Sequence, residues 1–159
     1  MILRIRTILD VNDDVIRDIE ITENSKLVDL HNMIIKSYGF LGKEMASFYR
    51  TDENWQQGDE MPLVDVGLDK NFNNEELKNL FSDENSRLLY VYDFLALWTF
   101  FIEVVETKSP KKNTEYPNLV FSEGTVPKTP PIKNFQEFDS SEEDKQEEDE
   151  NNFDLDQFY

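Results

Sequence analysis

The stretch Arg87-Leu-Leu-Tyr-Val-Tyr-Asp-Phe-Leu-Ala-Leu-Trp-Thr-Phe-Phe-Ile-Glu-Val-Val-Glu106 concentrates the strong strand formers of this chain. A break near Leu95-Ala96 divides it into two strands. Side chains alternate across a strand, so Leu88, Tyr90, Tyr92 and Phe94 point one way and Leu89, Val91 and Asp93 the other. In the second strand Trp98, Phe100, Ile102 and Val104 share a face, opposite Thr99, Phe101, Glu103 and Val105. Both faces are largely apolar, which is the pattern of strands in the middle of a covered sheet.

Upstream of this segment, residues 2–9 and 15–22 read as a hairpin, turned by Val11-Asn-Asp-Asp14, because Asn and Asp tolerate the left-handed conformation. A helix is expected next, with Ser25 as N-cap and Asp29 in its first turns. Leu27, Leu30, His31, Ile34 and Tyr38 fall on a single stripe, and Gly39 suits the C-cap. Met45 to Thr51 reads as a third strand, Asp52 to Phe72 as mostly irregular, and Asn74 to Phe81 as a second, short helix with Leu77, Leu80 and Phe81 inward. This order predicts an α+β domain over residues 1–106: a mixed sheet with helices on one face, nearest to a β-grasp (ubiquitin-like) roll.

The character changes after Glu106. Residues 107–134 hold five of the six prolines and read as an extended arm, partly docked through Tyr116, Leu119, Val120 and Phe121. Residues 135–159 carry 11 acids and one Lys, a net of -10 out of -18 for the whole chain. Such a tail buries too little apolar surface to offset ordering entropy and is expected to be disordered.

Composition removes several chemistries. The chain has no Cys and one His, at position 31. Disulfides, Cys-ligated zinc, iron–sulfur clusters, cysteine nucleophiles and multi-His zinc sites are excluded, and no cofactor is implied. The opening Met-Ile-Leu-Arg-Ile-Arg-Thr lacks the features of a secretory signal, and the most apolar run, Phe94 to Ile102, is too short to cross a bilayer. A cytoplasmic location is expected. With 34 acids against 16 Lys and Arg, the chain repels nucleic acid and anionic lipid rather than binding them.

Asp29-Leu30-His31, the run from Leu88 through Asp93-Phe94, then Trp98 and Ile102-Glu103 carry a resemblance. The sequence resembles the plasmid ORF-three-like family of the Ri-plasmid type, whose members are often labelled as passenger proteins of insertion elements. That family's pattern is a helix with Asp-Leu-His, then Tyr-Xaa-Tyr-Asp-Phe-Gly-Asp-Xaa-Trp, then alternating Glu, Ile and Val. The likeness covers residues 1–106 and extends weakly through the Pro-rich arm to Pro131. Leu95-Ala96 stands where the family has Gly-Asp, Thr99 and Phe100 stand where a His usually follows the Trp, and a Gly-Gly-Tyr element is missing. The departures fall on the polar positions that a reaction would use. The resemblance implies a fold and no activity.

Site readings follow from these residues. His31, on an apolar stripe, is a general base or ligand in the functional reading and a buried, hydrogen-bonded side chain in the structural one, which is favoured. Asp93 is a raised-pKa acid or an acceptor for neighbouring donors, with Glu103 as its cross-strand candidate; His31, Asp93 and Trp98 are taken as family-motif, structural residues. Asp69-Lys-Asn-Phe-Asn-Asn74 fails as a calcium loop because positions six and twelve are Asn74 and Leu80. No catalytic, metal or cofactor residue is assigned. The tail tip carries the functional signal: Phe153, Asp154, Leu155, Asp156, Phe158 and Tyr159 alternate acids with apolar anchors. This predicts a non-enzymatic interaction protein whose tip docks on a basic protein surface or groove. Two alternatives stand beside it. One is an acidic nucleic-acid mimic that regulates a plasmid- or phage-type DNA enzyme. The other is an enzyme of unknown class centred on Asp93, Glu103 and His31.

Overall fold

The N-terminal hairpin forms as its alternation dictates. Strands β1 (Ile2–Leu9) and β2 (Ile16–Thr22) pair antiparallel from Ile2 opposite Thr22 to Ile8 opposite Ile16. The structure, a computed structural model, describes residues 1–63 and 72–132. After β2 come helix α1 (Leu27–Tyr38), β3 (Ala46–Arg50), the short β4 (Glu60–Pro62), β5 (Arg87–Tyr92), β6 (Trp98–Lys108) and β7 (Asn118–Glu123). The seven strands make one sheet in the order β4-β3-β5-β6-β1-β2-β7, and every neighbouring pair is antiparallel.

β5 and β6 lie in the middle of that order, and their inward residues Leu88, Tyr90, Phe100 and Ile102 are fully buried. Helix α1 links β2 to β3, four places away in the sheet, so it must cross β1, β6 and β5. It does so on its apolar stripe: Leu27, Leu30 and Ile34 are fully buried. Each stabilises the fold by about 1.5–3 kcal/mol. Gly39 ends the helix in the left-handed conformation at φ 75°, where a side chain would be strained.

The β-grasp expectation is overturned. Among the described residues the protein is mostly a seven-stranded antiparallel sheet with one α-helix, not an α+β roll with helices over one face. The expected second helix over Asn74 to Phe81 is only a 3-10 turn, Leu77–Asn79. Its neighbouring backbone is already engaged: Leu27 N–H donates to Glu75 O, Val28 N–H to Asn73 O, Leu77 N–H to Ser25 O and Lys78 N–H to Glu23 O. Groups bonded across to residues 23–28 cannot also form an i to i+4 ladder. Ser25 is displaced from its expected N-cap role, because its hydroxyl bonds Thr22 at 2.7 Å and the helix begins at Leu27. Asp29 accepts the Lys26 backbone N–H at 2.8 Å instead. Residues 118–123, expected within the proline-rich arm, form the edge strand β7 against β2.

Candidate functional site

The family-motif residues gather where α1 meets β5 and β6. His31 sits midway along α1, and its Nδ1 lies 2.7 Å from the Tyr90 hydroxyl. Tyr90 is fully buried and packs among Phe48 and Phe100. Burial holds the His31 pKa below its ordinary value, which favours the neutral ring in its hydrogen bond with the Tyr90 hydroxyl. Burial also pushes the Tyr90 hydroxyl well above its usual range, with a smaller contribution from Tyr92. Two turns on, the Tyr38 hydroxyl meets Thr7 of β1 and is pushed up to about 12, chiefly by burial.

Phe40 follows the helix and stacks on Tyr92 with ring centroids 4.8 Å apart and planes within 4°. It also contacts Trp98 at 5.4 Å. Trp98 pairs across the hairpin with Tyr92 and is almost wholly buried. Asp93 begins the connecting turn. Its carboxylate accepts the Leu95 and Ala96 backbone N–H groups at 3.1 and 3.2 Å, and its carbonyl accepts the Leu97 N–H at 2.6 Å. Asp93 and Leu97 take the left-handed conformation, at φ 68° and 58°, whereas Leu95 and Ala96 do not. The turn therefore closes without a Gly at position 95. Asp93 acts here as a turn-forming side chain.

The register separates Asp93 from Glu103. Arg87, not Asp93, stands opposite Glu103, and its Nε bonds that carboxylate at 3.2 Å. Glu103 belongs to a ladder of charges on the sheet face away from α1. Along one row, Arg87, Glu103, Arg6 and Asp18 occupy successive strands. Asp18 is fully buried and accepts four bonds of 2.8–3.0 Å from the guanidinium groups of Arg4 and Arg6. Burial alone raises its pKa, but the bonds from Arg6 and Arg4 outweigh burial and leave it lowered. Lys108 pairs with Glu20 beside this row. The Arg87 guanidinium also lies 4.7 Å over Trp55, whose ring in turn meets Phe101. Trp55 thus covers the sheet, and Met61 is buried.

Sequence reasoning does not single out Arg17, the cation with the most hydrogen bonds among the described residues. It faces the helix side, 5.0 Å over the Tyr38 ring. Its guanidinium donates to the backbone carbonyls of Ile16, Ser37, Glu123 and Gly124. One side chain therefore binds β2, the end of α1 and the end of β7. The one available signal is an Arg placed between Ile16 and Ile19 on the hairpin.

An open depression beside the ladder is lined by Thr51, Asp52, Glu53, Glu84, Arg87 and Glu103. Three of its charged groups are engaged: Asp52 accepts the Asn54 and Gln56 N–H groups, and Arg87 binds Glu103 and the Glu53 carbonyl. Among the described residues, no group of three or more His, Asp or Glu side chains is placed to hold a metal ion. No helix among them is long and apolar enough to cross a membrane. The rejected calcium-like run begins in residues 64–71, outside the described residues. The tail-tip residues Phe153, Asp154, Leu155, Asp156, Phe158 and Tyr159 also lie outside them.

The hairpin that carries Tyr90 to Trp98 coincides with a wider sequence match. A family model described as plasmid pRiA4b ORF-3-like protein matches residues 2–158. The chain belongs to this family. The match reaches beyond the 1–106 span on which the resemblance first stands and takes in the edge strand and the acidic C-terminal residues. No curated protein is matched by the sequence. Among solved structures, the chain is similar to a protein of unknown function, MM3350 from Methanosarcina mazei Go1. The two share 20% identity over 80% of this chain and 72% of that one, with a TM-score of 0.69. At that identity the likeness speaks for the fold alone.

Proposed function

We propose that this family member is a non-enzymatic interaction protein whose acidic, aromatic-tipped C-terminus binds a basic protein partner. The carrying observation is the sequence Phe153-Asp-Leu-Asp-Gln-Phe-Tyr159, which alternates apolar anchors with acids behind a run of eight acids and one Lys over residues 139–152. Each apolar anchor returns about 1.5–3 kcal/mol if buried in a groove. The preceding run has no apolar residue to offset ordering, which costs about 1–2 kcal/mol per residue. The tip can therefore bind where the run before it serves to speed encounter. The engagement of the motif's polar groups in the fold supports this reading over an enzyme centred on them. His31 holds Tyr90, Asp93 forms a turn, and Glu103 is paired with Arg87. The acidic-mimic reading calls for rows of like charge, whereas the described sheet face alternates Arg with acid. The test is affinity capture from the native lysate with the full chain and with a chain ending at Asn152. Capture of a basic protein by the full chain alone is the expected result, with melting temperature unchanged. Equal capture by both would sink the docking role of the tip.

A further inference from the structure

The two edges of the sheet are unlike. β4 is three residues long and ends in Pro62, whose carbonyl accepts the Phe72 N–H at 3.1 Å. It is a protected edge. β7 is six residues long, has no Pro within it, and is paired only with β2 among the described residues. Leu119, Val120 and Phe121 are each 39% exposed there. Its one guard is a bulge: Asp18 faces Phe121 and Ile19 faces Leu119, which leaves Val120 without an opposite number.

We propose that β7 is a docking edge for an extended, basic-ended segment of a partner protein, which adds as an eighth strand. Charge selects this occupant. A second copy brings another net charge of -18, and the chain's own residues 135–159 carry a net of -10, so both are repelled. The strand is also polarised. Glu123 ends it beside the turn that carries exposed Asp13 and Asp14, since Gly124 passes directly over the Asp14 carbonyl. Lys111 and Lys112 are exposed in the connection at the opposite end. A ligand strand therefore lays apolar side chains along Leu119 to Phe121 and places its Lys or Arg residues over Glu123, Asp13 and Asp14. Main-chain bonds supply affinity and the charged end supplies direction. This deepens the reading of a basic partner and rests on it, while using a surface separate from the tail tip.

The test uses the 15N-labelled full chain and two synthetic peptides. One is Lys-Arg-Val-Thr-Val-Thr-Val, and the other replaces its two basic residues with Glu. The basic peptide should shift backbone amides of residues 118–123, and the acidic one should bind at least tenfold more weakly. Val120→Lys places a charge of the kind that blunts natural edges and should weaken the basic peptide at least tenfold; Val120→Thr should hold it within twofold. A chain ending at Asn134 should bind the peptide as the full chain does, which separates this edge from the tail. Shifts scattered over the acidic surface would overturn the proposal. So would unchanged affinity in Val120→Lys, a dimer in sedimentation that Val120→Lys dissolves, or tenfold tighter binding after tail removal.

Discussion

Asp18→Asn isolates the charge ladder on the outer sheet face. The side chain keeps its shape, but one carboxylate oxygen becomes an amide that points donors at Arg4 and Arg6. Four charge-assisted bonds of 2.8–3.0 Å converge on this carboxylate, which is fully buried. Removing one partner of a buried ion pair costs about 3–5 kcal/mol. Arg4 and Arg6 remain 28% and 40% exposed and regain hydration, which lowers the expected loss to about 2–4 kcal/mol. At roughly 2–4 °C per kcal/mol for a domain of this size, the melting temperature should fall by about 5–15 °C. The lowered pKa of Asp18 fixes the sign with pH. A carboxylate with a depressed folded pKa contributes stability above its unfolded pKa and loses it as pH falls through the folded value. The gap between parent and variant, measured by urea denaturation, should thus be full at pH 7 and shrink at strongly acidic pH. Replacing Asp18, Arg4 and Arg6 together by apolar residues should restore most of the loss, since no charge is then left unpaired. Equal urea midpoints for parent and Asp18→Asn at pH 7 would refute the reasoning.

Two further predictions concern the helix and the arm. His31→Gln should cost about 1–2 kcal/mol for the bond to buried Tyr90. Because burial lowers the His31 pKa, parent stability should be full above the ordinary His value and fall as pH drops through the folded one, with the loss absent from the variant; a pH series of thermal melts checks both. Gly124→Ala should loosen residues 124–132, because Gly124 sits at φ 83° and a Cβ there would lie 2.0 Å from the Asp14 carbonyl oxygen. Trypsin should then cut at Lys128 faster than in the parent, and an unchanged cleavage rate would count against the close approach.

The central strands are legible in the sequence because β-branched and aromatic residues fill both faces on either side of a break near Leu95-Ala96, and such two-sided apolar runs mark covered strands. β7 is not, for a stated reason. Leu119, Val120 and Phe121 are consecutive rather than alternating, and the bulge at Val120 accommodates that run in the sheet. The prolines on either side further disguise it. Asn74 to Phe81 has helical spacing, yet its backbone is bonded to residues 23–28, a long-range fact that no local pattern carries. The ladder of Arg4, Arg6, Asp18, Arg87 and Glu103 becomes visible only with register, since its members are scattered over four strands. Arg17 is hidden for the same reason: two of the carbonyls it binds, those of Glu123 and Gly124, lie more than a hundred residues downstream.

The sheet order also constrains how the chain can be made. Of the strands of this sheet, β1 and β2 are synthesised before the others, yet their outer partners are β6 and β7, the last two in chain order. On a ribosome β1 must wait for its outer partner until residue 108 has emerged, and β2 until residue 123. At roughly 5–20 residues per second that interval lasts several seconds. During it, Ile5, Ile19 and Ile21, fully buried in the finished protein, have only each other and α1 for cover. The acids of the tail emerge after this exposed stage has ended, so protection from aggregation during synthesis falls to charges already present, those of Arg4, Arg6, Asp10, Asp13, Asp14, Arg17, Asp18 and Glu20 on the hairpin among them.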